Sequence, residues 1–277
     1  MYNKGDFHIH STFSDGRFTP SELLHMAKKS NVDIMALTDH DNTDGIEEAL
    51  IMGANLGIKV IPGIELSTTY IKENIHVLGY FNDKGYLKDV FQDYLKKVVT
   101  YRIYRSEQMV KNLKDIFGIK IDFQKLFDST SGVVGRPHIA QAIIDEGYKY
   151  EWNHIFKAII GKESPAYVPN MHISLENGIK LLKDANAFVV MAHPVQIKNT
   201  SLELLCSLGF DGIEAIYPQN TPLQTNNFIN LAMNNNLVIT AGSDFHGISV
   251  KDEKHGNIGD VYLSEDKLSV FLEKLGI

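Results

Sequence analysis

Short apolar runs alternate with helix-like stretches along most of this chain, and that alternation narrows the possible folds more than any other feature. The strand candidates are DFHIH (6–10), DIMALTDH (33–40), KVIPGIELS (59–67), IHVLGYF (75–81), AFVVMAHP (187–194), DGIEAIY (211–217), LVITAGSDFH (237–246) and GDVYL (259–263). FVVMA and LVITA are apolar throughout, which predicts strands buried on both faces of a sheet. Helix signals lie between the runs. TPSELLHMAKKS offers Thr19 as an N-cap, Pro20 at the first helical position and Glu22 three residues past the cap. Asn42–Gly57, Ser174–Ala185, Ser201–Leu208 and Thr225–Asn235 place apolar residues at helical spacing. Strands that alternate with helices predict a mostly parallel α/β sheet, either a closed barrel or an open doubly wound sheet.

One region breaks the rhythm. From Asn82 to Val168 no run reads as a buried strand, and Tyr86–Phe117 reads as one or two long helices. This predicts a barrel of residues 1–81 and 169–277 with a helical insertion at 82–168. The 277 residues suffice for a single barrel of about 250 residues plus such an insert. A net charge of −7 argues against a partner as extended as long nucleic acid, which needs a broad basic surface. It leaves room for a small phosphorylated substrate, because bound cations reverse the field inside a carboxylate-lined pocket. The N-terminus lacks an apolar run of signal-peptide length and no stretch approaches about 20 apolar residues, so the expectation is a cytoplasmic protein without a membrane partner. The lone Cys206, in LELLCSLGF, reads as a core residue rather than a nucleophile.

Polar clusters close several of these strands. The first ends in His8-Ile9-His10 with Asp15 following, the second in Asp39-His40-Asp41, the third in Gly63-Ile64-Glu65, and the seventh in Gly242-Ser243-Asp244-Phe245-His246. His76 opens one run and His193 closes another. Ligands of parallel α/β folds bind at the carboxyl ends of the strands, so neighbouring strands would bring these groups to one mouth. His-x-His puts two imidazoles on one side of an extended strand, and Asp244-x-His246 repeats the arrangement. Any one buried histidine is usually a hydrogen-bonded core residue. Nine groups together, unmetallated, would bury many ionisable side chains without partners. Nitrogen and carboxylate donors in combination suit Zn, Mn or Fe. Nine donors exceed one ion's needs and imply two or three, able to hold a hydroxide at neutral pH and to neutralise phosphate oxygens. That chemistry favours hydrolysis of a phosphate ester.

The segments DFHIHSTFSDG, ALTDHDNTDG, GIELS, IHVLGY, AHP and GSDFH, in this order, resemble the motifs of the PHP (polymerase and histidinol phosphatase) family. The resemblance implies a distorted (β/α)7 TIM-like barrel with a trinuclear metal site at its mouth. Carried over by motif, it implies a first metal on His8, His10, Glu65 and Asp244. Glu65 would bridge to a second metal on His76 and His193, and Asp15, His40 and His246 would hold a third. Asp15, His193 and His246 would lie near the reacting phosphate, beside the metal-bound hydroxide. GRPHIAQAI (135–143) resembles the branch of 3′,5′-nucleoside bisphosphate phosphatases and 5′-to-3′ exoribonucleases, which implies that Arg136 and His138 contact substrate phosphate. Read without that branch, the same segment is the start of a helix with Pro137 in its first turn.

Tyr217, after a strand end, is a third candidate for lining the substrate pocket. Asp39 and Asp41 flank His40 and either orient ligands or cap turns, and Arg17 reads as a solvated turn residue. The leading expectation is a nucleotide phosphatase releasing the 3′-phosphate of 3′,5′-nucleoside bisphosphates, with 5′-to-3′ trimming of short RNA as an extension. The alternatives are a cyclic sugar phosphate phosphodiesterase, then a histidinol phosphatase, and outside enzymes a metal-binding regulatory module.

Overall fold

The computed structural model describes residues 2–130, 134–171, 173–247 and 255–277. Two compact units emerge, one of Met1–Asp93 with His172–Ile277 and one of Tyr94–Met171.

In the first unit nine strands form one sheet. They are β1 (Lys4–Asp6), β2 (Ile34–Leu37), β3 (Lys59–Tyr70), β4 (Glu73–Tyr80), β5 (Ile173–Ser174), β6 (Phe188–Met191), β7 (Gly212–Ile216), β8 (Val238–Ala241) and β9 (Leu263–Ser264). The order is β8-β7-β6-β4-β3-β2-β1-β9, with β5 added beside β3. Beyond the end of β1 the chain turns from β9 toward β8. Phe7 N–H donates to Ala241 O at 3.1 Å, His10 N–H donates to Phe245 O at 3.0 Å, and Ile9 bridges Phe245 in parallel. Seven strands thus wrap into a nearly closed barrel, one of the two forms that the alternation of runs and helices allows and the one that the family resemblance implies.

Two strands depart from the parallel expectation. β9 runs antiparallel to β1, and β4 runs antiparallel to both β3 and β6. The β3–β4 hairpin turns at Ile71 and Lys72, whose φ angles are 46° and 67°. Such a turn is normally announced by Asn-Gly or Asp-Gly, so this one leaves no mark in the sequence. The reversal has a consequence for chemistry. His76 opens its apolar run, yet within β4 it pairs with Ser67 beyond Glu65 and so stands at the same mouth as residues that end their runs.

Around the barrel lie α1 (Pro20–Lys29), α2 (Ile46–Leu56) and, after the second unit, α7 (Leu175–Asp184), α8 (Leu202–Cys206), α9 (Pro222–Asn234) and α10 (Glu265–Leu275). α1 starts on a capping box: the Thr19 side chain accepts from Glu22 N–H, and Thr19 N–H donates to Glu22 Oε2 at 2.8 Å. A second capping box at Thr221 and Gln224 starts α9 (Pro222–Asn234) three residues before the sequence periodicity does. Phe7, Ile34, Ile61, Tyr80 and Val190 are buried in the core, with Phe271 and Leu275 of α10 (Glu265–Leu275) packed among them. The Phe271 ring lies 4.8 Å from Phe7 and 5.4 Å from Tyr80, both edge-on. Truncating such a ring would cost about 3–5 kcal/mol. Cys206, in α8 (Leu202–Cys206), is buried, and burial pushes its thiol up to about 11.

The second unit holds most of α3 (Asp89–Phe117), a single helix where the sequence allowed one or two, with α4 (Phe123–Ser129), α5 (Arg136–Asp145) and α6 (Trp152–His154). α6 passes directly into a π-helical turn at Ile155–Ile159. Met109, Leu113, Ile139, Ile143, Ile155 and Ile159 make its own apolar core. Among the described residues no helix is long and apolar enough to cross a membrane.

Candidate metal centre

The strands of the first unit deliver all nine expected donors to one rim. Glu65 is the hub, 1 % exposed on β3. Its Oε2 lies 3.2 Å from His8 Nε2, 3.2 Å from His10 Nε2 and 3.0 Å from His40 Nδ1. Its Oε1 lies 2.8 Å from His76 Nδ1 and 2.9 Å from His193 Nε2. Asp244 Oδ1 approaches two of the same imidazoles, just past the end of β1, at 3.3 Å from His8 and 3.1 Å from His10. Asp15 Oδ1 faces His246 Nε2 at 3.2 Å, and its Oδ2 lies 3.9 Å from His40.

Among the described residues four groupings have donor atoms close enough to share a cation: His8–His10–Glu65–Asp244, His10–Asp15–His40–His246, His40–Glu65–His76, and Asp244–His246–His255. A structural test supports cation binding independently of proximity. Nine buried side-chain polar atoms lack a hydrogen-bond partner among the described residues. Seven of them belong to this set: His8 Nε2, both ring nitrogens of His10, Asp15 Oδ1, His40 Nδ1, Glu65 Oε2 and His193 Nδ1. Donor and acceptor lie about 3 Å apart but aim past one another. Such orphans cost about 1–3 kcal/mol each unless something else satisfies them. A mixed imidazole and carboxylate set fits divalent Zn, Mn or Fe.

The charges lean the same way. Burial alone would raise Glu65 and Asp244, but the surrounding histidines hold both carboxyls well below the usual range. Burial would also raise Asp15, and His40 and His246 hold it well below. Burial pulls the His40 imidazole down, yet Glu65 and Asp15 carry it up to about 10. His76 goes the other way, lowered by burial despite Glu65, with His40 and His193 facing it.

The backbone is forced here as well. Asp41 and Asp244 both have φ 52°, and His193 has φ 25°. Left-handed conformations are tolerated by aspartate and cost more for larger residues, and they persist only where surrounding contacts fix them. Gly242 precedes this bend because a Cβ there would collide with His8 Cβ and lie 2.7 Å from Glu214 Oε1.

Supporting residues hold the donors in place, and the sequence reading missed the main one. Glu214, fully buried on β7, takes His8 Nδ1 at 3.0 Å and accepts from His193 N–H at 2.8 Å. The pairing puts a proton on His8 Nδ1 and turns its Nε2 lone pair toward the rim. The available signal was a glutamate in the middle of an apolar strand. Asp6 is also buried and accepts from the backbone N–H groups of Ser243 and Gly259, tying β1 to the end of β8; burial pushes it up to about 6. Asp39 accepts from Ser11 N–H and from the hydroxyls of Ser11 and Ser14, fixing the loop that bears Asp15. Asp41 accepts from Ser67 N–H. His255, absent from the sequence reading, stacks 4.3 Å from His246 with its Nε2 3.8 Å from Asp244 Oδ2.

The three substrate candidates fall in different places. Tyr217 is buried beside the rim, donates to Asp244 Oδ2 at 2.7 Å and accepts from Gln196 Nε2 at 2.8 Å. Arg136 and His138 belong to the second unit. There His138 Nδ1 accepts from Gly135 N–H at 3.1 Å, capping its own helix, and the Arg136 guanidinium lies 5.9 Å from the Phe156 ring centre. Arg17 is exposed, its backbone N–H bound to His246 O.

Fold and rim together define a metal-dependent phosphoesterase class, an enzyme that hydrolyses phosphoric ester bonds. The PHP domain family matches residues 6–163, more than half of the chain, and the chain belongs to that family. His193, Asp244 and His246 lie beyond the matched segment, and the geometry brings them to the same rim. The chain is 30% identical over 252 residues to a 5′-3′ exoribonuclease of Haemophilus influenzae, covering 89% of this chain and 91% of that one. It is 29% identical over 249 residues to a 3′,5′-nucleoside bisphosphate phosphatase of Chromobacterium violaceum, covering 87% and 86%. A solved structure from Bifidobacterium adolescentis, assigned as a metal-dependent phosphoesterase, superposes with a TM-score of 0.83 at 27% identity over 98% of this chain and 96% of that one.

Proposed function

We propose that this protein hydrolyses phosphate esters of nucleotides, with the 3′-phosphate of 3′,5′-nucleoside bisphosphates as its main substrate and 5′-to-3′ trimming of short RNA as an extension of the same chemistry. The observation that carries the nucleotide reading is the rank of the likeness: proteins named for RNA and for nucleoside bisphosphates match at 30% and 29% identity over 89% and 87% of the chain, against 26% over 87% for a phosphoribosyl 1,2-cyclic phosphate 1,2-diphosphodiesterase.

In this reading two or three divalent ions, Mn, Fe or Zn, are held by His8, His10, Glu65 and Asp244, by Glu65 with His76 and His193, and by Asp15, His40 and His246. Bound there, they supply an activated water and neutralise the phosphate oxygens. The chain's own residues do the rest. Glu214 keeps His8 in one tautomer. Asp15, His193 and His246 border the reacting phosphate, and Arg136 offers a planar fork for a second one. The hydroxyls of Ser11 and Ser14 donate to Asp39 and that of Ser243 faces His8 O, so none of these three is set up to attack. Water is therefore the nucleophile.

The test is phosphate release from adenosine 3′,5′-bisphosphate, AMP, histidinol phosphate and a ribose cyclic phosphate, in Mn-supplemented buffer. Turnover is expected to be fastest on the bisphosphate. Activity confined to the cyclic ester would transfer the assignment to a cyclic sugar phosphate phosphodiesterase, and preference for histidinol phosphate would overturn the nucleotide reading.

A further inference from the structure

His255 stands at the rim of the barrel unit and belongs to none of the three metal sets described above. The chain around it is tied back to the strand end that carries Asp244 and His246. Gly256 N–H donates to Ser243 O at 2.7 Å, and a Cβ on Gly256 would lie 3.1 Å from Pro218 Cγ. Ile258 is buried in the core under the barrel helices, and Gly259 N–H donates to the buried Asp6 side chain at 2.9 Å. A side chain whose backbone is already fixed loses little further entropy when it takes a ligand.

The imidazole contacts fit a shared ion better than direct bonds. The His255 ring lies 4.3 Å from the His246 ring, tilted by 33°. Its Nε2 is 3.8 Å from Asp244 Oδ2. That is too long for a hydrogen bond. Two donors each about 2.1 Å from one zinc, however, stand up to about 4.2 Å apart. Asp244, His246 and His255 each offer a donor atom within 4.8 Å of the other two. The lone pairs agree. His246 Nδ1 donates to Asp244 O at 2.8 Å, which leaves its Nε2 for a cation. Asp244 Oδ1 faces His8 and His10, while Oδ2 is the oxygen nearer His255. The Tyr217 hydroxyl donates to that same Oδ2 at 2.7 Å, and a carboxylate oxygen has a second acceptor site to give. His8 and His10 are fully buried, whereas the His255 side chain is 19 % exposed.

We propose that Asp244, His246 and His255 form a further cation position at the rim, for a divalent ion of the Zn, Mn or Fe class. The inference rests on the metal reading above and adds a tenth donor to it, wholly within the barrel unit. Two nitrogens and one oxygen leave a fourth coordination position open to water, as in an exchangeable site rather than a closed structural one. His246 Nε2 also faces Asp15 Oδ1 at 3.2 Å, so this ion and the one assigned to Asp15, His40 and His246 draw on the same nitrogen. The two positions are therefore filled one at a time.

The full-length protein is crystallised with excess zinc and mapped by anomalous scattering at the zinc edge. A peak about 2.0–2.1 Å from His255 Nε2, shared with Asp244 and His246, is expected. Peaks around Glu65 with none at His255 overturn the further position and leave the metal reading standing. No peak anywhere on the rim strikes the metal reading as well. In solution the two positions on His246 are separated by substitution. Asp15→Ala removes the carboxylate of one and should keep the wild-type zinc count by elemental analysis, because the ion moves to the other. Adding His255→Phe, which keeps a ring against His246 but has no donor nitrogen, should lose one zinc per chain. Equal counts in Asp15→Ala and the double variant overturn the proposal, and so does a zinc already lost in Asp15→Ala alone.

Discussion

The two units differ in where they leave polar and apolar groups unmatched. The barrel unit buries polar atoms that have no partners: seven orphaned donors and acceptors crowd around Glu65 and Asp244. The second unit has an ordinary apolar core of Met109, Leu113, Ile139 and Ile155, with Trp152 exposed and a half-buried Arg136 that packs on Phe156 and has no carboxylate partner among the described residues. Buried orphans need a ligand that stays, since leaving them bare costs free energy in every folded molecule. Exposed rings and cations cost little when empty and suit a ligand that comes and goes. The proposed reading assigns resident metals to one unit and transient substrate recognition to the other in keeping with that contrast.

The contrast breaks most visibly at Glu65. Its two oxygens reach five imidazoles, so Glu65→Ala strips every grouping that shares it. Loss of at least one bound ion per chain, measured by elemental analysis, is expected with a fall in turnover on the order of 10³-fold or more. A variant that kept its full metal complement and its rate would mean that the orphaned atoms serve something other than cations.

Glu214→Gln tests the same unit one step removed from the ions. The amide keeps the volume but cannot accept from both His8 Nδ1 and His193 N–H as a carboxylate does. Metal affinity should fall by roughly 10–100-fold, as is usual when the partner behind a ligating histidine is lost. Saturating metal should restore most of the activity, and failure to do so would place Glu214 in the chemistry itself.

These two residues also mark how far the sequence could be read. Glu65 was legible because GIELS ends a run, and the strand-end rule of parallel α/β folds points at such positions. His76 was legible only as a motif residue, since it begins its run, and the antiparallel β4 that explains it turns on Ile71-Lys72, which carries no turn signal. Glu214 sits in mid-strand and was passed over because periodicity marks GIEAI as core. Its meaning depends on which histidine faces it across 206 residues of chain, which no local pattern encodes. Helix starts fared similarly. Thr19-Pro20 was read with its glutamate, while the matching Thr221-Pro222 was overlooked for a glutamine in the corresponding place.

Arg136→Ala tests the other half of the contrast. Its guanidinium has no carboxylate to lose, so stability and metal content should be unchanged. KM for doubly phosphorylated substrates should rise by roughly 10–100-fold, the loss of one charge-assisted contact, with a smaller change in kcat. A drop in bound metal would show that the two units do not divide the work.

The smallest effect is expected from Tyr217→Phe, and it separates the two accounts of that residue. As a substrate contact, the phenol would touch a ligand that arrives and departs, and its removal would raise KM alone. The hydrogen bonds favour a positioning residue: the hydroxyl donates to Asp244 Oδ2 and accepts from Gln196. Burial and then the Asp244 carboxylate push the phenol's pKa up, so it remains a donor at every working pH. Removing it frees one oxygen of Asp244 while Oδ1 keeps its place beside His8 and His10. The expected result is a loss of about 0.5–1.5 kcal/mol, roughly 2- to 12-fold, in metal affinity measured by competition with a chelator, with KM unmoved. A rise in KM at unchanged metal affinity would return Tyr217 to the substrate pocket, and would mean that the barrel rim, too, keeps a group for transient recognition.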